Sequence, residues 1–73
     1  MPYSVTKGLS GYIVTDDEGD RVARVSRFII GPSVPPMVSV SAGELQSPEM
    51  ALAIAHAMIA QALDIQTNPN TED

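Results

Sequence analysis

His56 is the single imidazole of the chain, set in the alanine-rich stretch Ala55-His56-Ala57. A catalytic histidine needs an orienting carboxylate and a nucleophile, and a metal-bound one needs companion ligands at helical spacing. Ala60 stands one turn further on, where a second helical ligand would be, and the chain has no cysteine. His56 is therefore expected to be structural, at the border of an apolar helix face. No catalytic residue, metal site or cofactor is expected, and the chain reads as a non-enzyme.

The other residues with chemical potential are charged. Asp16, Asp17, Glu18 and Asp20 place four of the nine acids within five positions. The order D-D-E-G-D lacks the alternating ligands and distant bidentate glutamate of an EF-hand loop. It reads either as a solvated hairpin tip or as a negative prong that steers association with an arginine-rich surface. Arg21, Arg24 and Arg27 hold three of the four basic charges. They are too sparse for a phosphate-binding stripe, and no tryptophan or aromatic ladder offers base stacking. With the acidic cluster beside them, the expected partners of these arginines are the chain's own carboxylates across a hairpin.

The elements that must position these groups are few. At 73 residues with a net charge of −5 and 44% hydrophobic content, the chain is sized and composed for one globular domain. Residues 1–67 are read as that domain and 68–73 as a polar C-terminal tail. No apolar run reaches the roughly 18 residues needed to span a bilayer. The N-terminal residues carry no continuous signal-type hydrophobic stretch. The lack of cysteine removes a disulfide framework and permits a reducing compartment.

Tyr3-Ser4-Val5-Thr6 is a short candidate strand, and Tyr12-Ile13-Val14-Thr15 has strand composition. The latter runs into the acidic cluster, where Gly19 can supply the positive φ of a tight hairpin. Arg21 to Ile30 is ambiguous: its arginines recur every three residues as on a helix, and strict strand alternation requires a bulge near Ser26-Arg27. Strand is favoured for its β-branched content and its neighbours. Gly31-Pro32-Ser33-Val34-Pro35-Pro36 cannot be regular structure and could present Val34 and Met37 to a partner at low entropic cost. From Val38 onward, Met37-Val38-Ser39-Val40-Ser41 alternates apolar and polar as a sheet strand with one buried face does.

Ser47-Pro48-Glu49 is a helix start, with a hydroxyl cap, a first-turn proline and an acid at the positive end of the macrodipole. The helix is expected to run to Leu63 or Ile65. At 100° per residue, Leu52, Ala55, Ile59 and Leu63 form one apolar stripe and Ile54, Met58 and Ile65 a second. These are expected to lie on the sheet. The opposite side carries Met50, Ala53, Ala57 and Ala60, and no lysine or arginine occurs after Arg27. A smooth alanine strip lets another backbone approach, so Ala53, Ala57 and Ala60 are read as contacts to a second copy or another protein. The alternative is that alanine is there for helix propensity alone. The expected architecture is α+β: three or four antiparallel strands packed by one C-terminal helix, of β-β-β-α type.

Two resemblances follow from this layout. Gly11-Tyr12-Ile13-Val14 through Arg27-Phe28, with the later Ser-Pro-Glu helix start, resembles the three-stranded arm-binding domains of phage integrases over about fifty residues, which implies DNA binding. Those domains are basic where this chain is acidic, which argues against phosphate contact. In size, negative charge and lack of cysteine, the whole chain is similar to small acidic phage and mobile-element accessory proteins of the anti-CRISPR or anti-defence type. That resemblance implies an inhibitor in the bacterial cytoplasm that occludes a basic site on a nucleic-acid-handling complex; it rests on no motif and assigns no residue roles, and the charged contacts expected from the acidic cluster itself are Asp16, Asp17, Glu18 and Asp20. The function expected is thus a non-enzymatic protein-binding module, with homodimer formation and no direct nucleic-acid binding. A DNA-binding domain using the arginines, or a homo-oligomeric assembly protein, are the alternatives.

Overall fold

Two glycine-bearing turns set the sheet in register. In the computed structural model, which describes residues 2–67, β1 (Ser4–Lys7) turns into β2 (Gly11–Thr15) through a Gly8 N–H donated to the Gly11 carbonyl at 2.6 Å. Gly11 has no substitute in this position, because a Cβ there would collide with the Val25 carbonyl oxygen. The second turn spans Asp16 to Asp20 and leads into β3 (Arg21–Phe28). Gly19 N–H donates to the Asp16 carbonyl at 3.1 Å, Asp16 N–H to the Asp20 carbonyl at 2.9 Å, and Gly19 has a φ of 87°. That positive φ is the task expected of this glycine. β3 then pairs with β4 (Met37–Ala42) across the proline-bearing loop.

All pairings are antiparallel and the strand order is β1-β2-β3-β4, a meander in which each strand lies beside its sequence neighbours. Residues 21–28 are therefore strand, and their helix-like arginine spacing is overridden by two flanking partners. The expected bulge at Ser26-Arg27 is not there: β3 pairs with β4 without a shift from Ala23 to Phe28. The irregularity falls at the hairpin instead, where Val14 faces Ala23 but Thr15 faces Arg21, leaving Val22 as the extra residue.

Cross-strand partners share a face. Val5, Val14, Ala23 and Ala42 form one row under the helix, and Lys7, Tyr12, Val25 and Val40 the next. The far face carries Thr6, Ile13, Arg24 and Ser41 in one row. Helix α1 (Pro48–Thr67) lies across the first face. Its start is as expected: the Ser47 hydroxyl accepts Met50 N–H at 3.2 Å, and the Ser47 carbonyl takes the first helical bond from Ala51. Its end is later than expected, at Thr67, whose hydroxyl donates to the carbonyls of Leu63 (3.0 Å) and Asp64 (3.2 Å). The polar tail 68–73 lies outside the described residues. The architecture is thus α+β, a four-stranded antiparallel sheet with one C-terminal helix.

Of the two stripes expected on the sheet, the second is met in part, with Ile54 in the core, Ile65 half-buried and Met58 exposed, but the Leu52-Ala55-Ile59-Leu63 stripe turns away and the alanine side takes its place. Met50, Ala53, Ile54, Ala57 and Gln61 are buried against Val14, Ala23 and Val25, with Ala57 fully covered. Ala53 and Ala57 are core residues of this chain and Ala60 is half-buried, so the alanine strip is not a free contact surface. Spacings of 3, 1, 3 and 4 residues keep this stripe on one side of the helix. The physical reason is closeness: Ala53 and Ala57 let the helix backbone settle onto valines and an alanine, with Met50 and Ile54 filling the space beside them.

Candidate functional site

The turn of the helix toward its alanines leaves its large aliphatic side chains outside. Leu52, Ile59 and Leu63 are 65%, 60% and 55% exposed, with Ala55 and His56 exposed among them. At 100° per residue these positions centre on the side directly opposite the sheet. Three such side chains offer roughly 300 Å² of apolar surface, within the size range of the largest patch on a typical monomer, which is often functional. The charges on the described helix are both acidic, Glu49 and Asp64. The helix is thus apolar on two opposite sides, as expected, but the alanine side joins Ile54 on the sheet and the Leu52-Ile59-Leu63 stripe faces outward.

This face continues into an open groove of about 530 Å³ between the helix and the β1 side of the sheet, lined by Tyr3, Val5, Leu52, Ala53, Ala55, His56 and Ile59. Its polar groups are the Tyr3 hydroxyl, which accepts from the Ser47 hydroxyl at 3.5 Å, and the His56 imidazole. His56 is exposed on the rim, and neither a carboxylate nor a hydroxyl nucleophile oriented by it lines the groove.

A polar cluster closes the same side of the domain. The Tyr12 hydroxyl donates to Asp64 Oδ2 at 2.7 Å, and Lys7 Nζ lies 3.4 Å from the same oxygen. The Tyr12 hydrogen bond holds the Asp64 carboxyl below its ordinary range; desolvation opposes it, and the hydrogen bond and charge of Lys7 add to the lowering, while the same Tyr12 bond raises the Tyr12 hydroxyl. Lys7 is 68% exposed, so the pair orients the helix end on β1 and β2 more than it stabilises it. Asp64 was not among the expected site residues. The sequence signal that could have found it is an acid one turn beyond Ala60, on the flank that meets the sheet.

The acidic residues sit at the hairpin tip. Asp16 Oδ1 accepts the amides of Glu18 and Asp20, both at 2.9 Å, which folds the tip around one side chain and leaves Asp17, Glu18 and Asp20 exposed. The carboxylates of Asp16, Glu18 and Asp20 come within 4.8 Å of one another, near enough to share a cation. Arg21 and Arg24 are exposed and, among the described residues, make no ion pair with the tip, contrary to expectation. Arg24 faces Ile13 and Ser41 across the sheet, out of reach of the turn. At the other end of the sheet Phe28, Ile29, Ile30, Val34 and Met37 form an exposed apolar corner around the proline loop. Among the described residues, no helix is long and apolar enough to cross a membrane.

Compared with known proteins, the chain matches no family model, no curated protein sequence and no solved structure.

Proposed function

We propose that this chain is a protein-binding module that acts by contact, with the outward face of α1 as its recognition surface. The observation that carries the reading is the exposure of Leu52, Ile59 and Leu63 on a helix whose other side is already buried. A solvated helix carries both signs of charge on its outer side; this one carries aliphatic side chains flanked by acids. The partner such a surface fits is a protein with an apolar groove bordered by lysine or arginine. Leu52 and Ile59 fill the groove, Glu49 and the acidic tip meet the rim, and the net charge of −5 speeds encounter. In its sharpest form the module is an inhibitor: it occupies a basic site on a nucleic-acid-handling complex in a bacterial host and keeps the nucleic acid away.

The test is capture from bacterial lysate by the native chain, by Ile59→Asp and by a variant with Asp16, Asp17, Glu18 and Asp20 made neutral. A specific protein should be retained by the native chain, lost with Ile59→Asp, and held with weaker salt dependence by the neutral-tip variant. Identical recovery with native and Ile59→Asp protein would remove the helix face as the recognition surface.

A further inference from the structure

The two edges of the sheet are built differently. A free edge strand offers unpaired amides and carbonyls to any other chain, and monomeric proteins blunt it with shortness, charge, proline or a bulge. The β1 edge has four residues and carries Lys7. The β4 edge, Met37 to Ala42, has six residues with no charge, no proline, no glycine and no bulge.

The ladder shows which of its groups are free. Gly43 N–H donates to the Val22 carbonyl, so hydrogen-bonded pairs on β4 fall at Gly43, Ser41, Ser39 and Met37. The amides and carbonyls of Val38, Val40 and Ala42 therefore point away from β3, and among the described residues no strand lies on that side. Val38-Ser39-Val40-Ser41-Ala42 reads nearly the same in both directions about Val40. A two-fold antiparallel pairing sets each residue against its mirror position on the identical chain, and such a sequence then matches like with like.

We infer that β4 is a homodimerisation edge, and that two copies pair antiparallel about a dyad at Val40 to form one eight-stranded sheet. In this register Val40 lies opposite the partner's Val40, Val38 opposite the partner's Ala42, and Ser39 opposite the partner's Ser41. Each inward-facing residue thus meets an aliphatic one and each outward-facing serine a serine. Both helices lie on the same face, so Val40, 40% exposed in the single chain, is covered. Strand β4 brings no charge to the seam, so the pairing needs no salt to screen the two acidic copies there. The second copy is favoured over a foreign strand by the near-palindrome, which no unrelated chain needs to share. The outward face of α1 stays free in the dimer, so this pairing is independent of the recognition surface proposed above.

The absence of cysteine gives a clean background for a crosslinking test. In a hydrogen-bonded antiparallel pair the Cα atoms stand about 5.5 Å apart, inside the range a disulfide spans. Native protein at micromolar concentration should sediment as a dimer. Val40→Cys should be trapped as a disulfide-linked dimer on mild oxidation, and Ser41→Cys, offset from itself across the dyad, should be trapped at least roughly tenfold more slowly. Val40→Lys should sediment as a monomer while keeping the native circular dichroism spectrum. A native monomer at these concentrations, or equal trapping of the two cysteine variants, would overturn the pairing. A dimer that survives Val40→Lys but is lost with Ile59→Asp would overturn it too, by placing the contact on the helix.

Discussion

Replacing Ala57 by leucine asks the helix which way it faces. Ala57 has no exposed surface and sits between Ala53, Ile54 and Gln61 in the stripe that meets Val14 and Val25. Adding three carbons at a site with no room forces the helix outward or the valines off their rotamers, at a typical cost of about 1–3 kcal/mol. For a domain of this size about 2 kcal/mol lowers Tm by roughly 8–16 °C. Ile59→Gln, at a position 60% exposed on the other side, should change stability by no more than about 0.5 kcal/mol. Thermal and urea unfolding followed by circular dichroism at 222 nm, at one fixed protein concentration, reads both variants on one scale. If Ala57→Leu were silent and Ile59→Gln strongly destabilising, the helix would be turned by half a revolution and the assignment of inner and outer faces would fail.

Two further outcomes test the local geometry. Tyr12→Phe removes the hydrogen bond that does most to hold the Asp64 carboxyl low, so its pKa should rise toward the ordinary carboxylate value, followed by NMR of the side-chain carbon. Because the folded pKa is depressed, the stability Asp64 contributes is complete above its unfolded pKa and is lost as pH falls through the folded one; in Tyr12→Phe that acid-side loss should shrink. Gly11→Ala should destabilise by more than about 2 kcal/mol, since the new Cβ meets the backbone carbonyl of Val25, while Gly31→Ala, with open space around it, should not; urea unfolding separates the two.

Much of this fold could be read from residue types, since each element carried its own local signal. Gly19 in an acidic turn, alternation in Val38-Ser39-Val40, and Ser47-Pro48-Glu49 each name a conformation with a mechanism behind it. The β3 strand was harder because Arg21, Arg24 and Arg27 imitate helical spacing, and only pairing on both sides decides the matter. The rule that larger apolar residues go inward turns the Leu52-Ile59-Leu63 stripe toward the sheet. That rule fails where the sheet offers Val14, Ala23 and Val25 and the best contact is the closest one. Ile54 meets the sheet as its size suggests, but Met50, Ala53, Ala57 and Gln61, which complete the buried stripe, look by residue type like the weaker candidate. The Tyr12–Asp64 bond joins residues 52 apart in sequence, and no local pattern announces such a contact.

The meander has a consequence for how the chain is made. Its strands leave the ribosome in the order in which they lie side by side, so each hairpin can close as soon as it emerges. The helix that roofs them is translated after all four strands. Until Ser47 and the residues after it are released, Val14 and Val25 line an uncovered floor, and a product truncated before that point is a sticky sheet with both borders open. The stretch Pro48–Thr67 is therefore what converts an aggregation hazard into a closed domain.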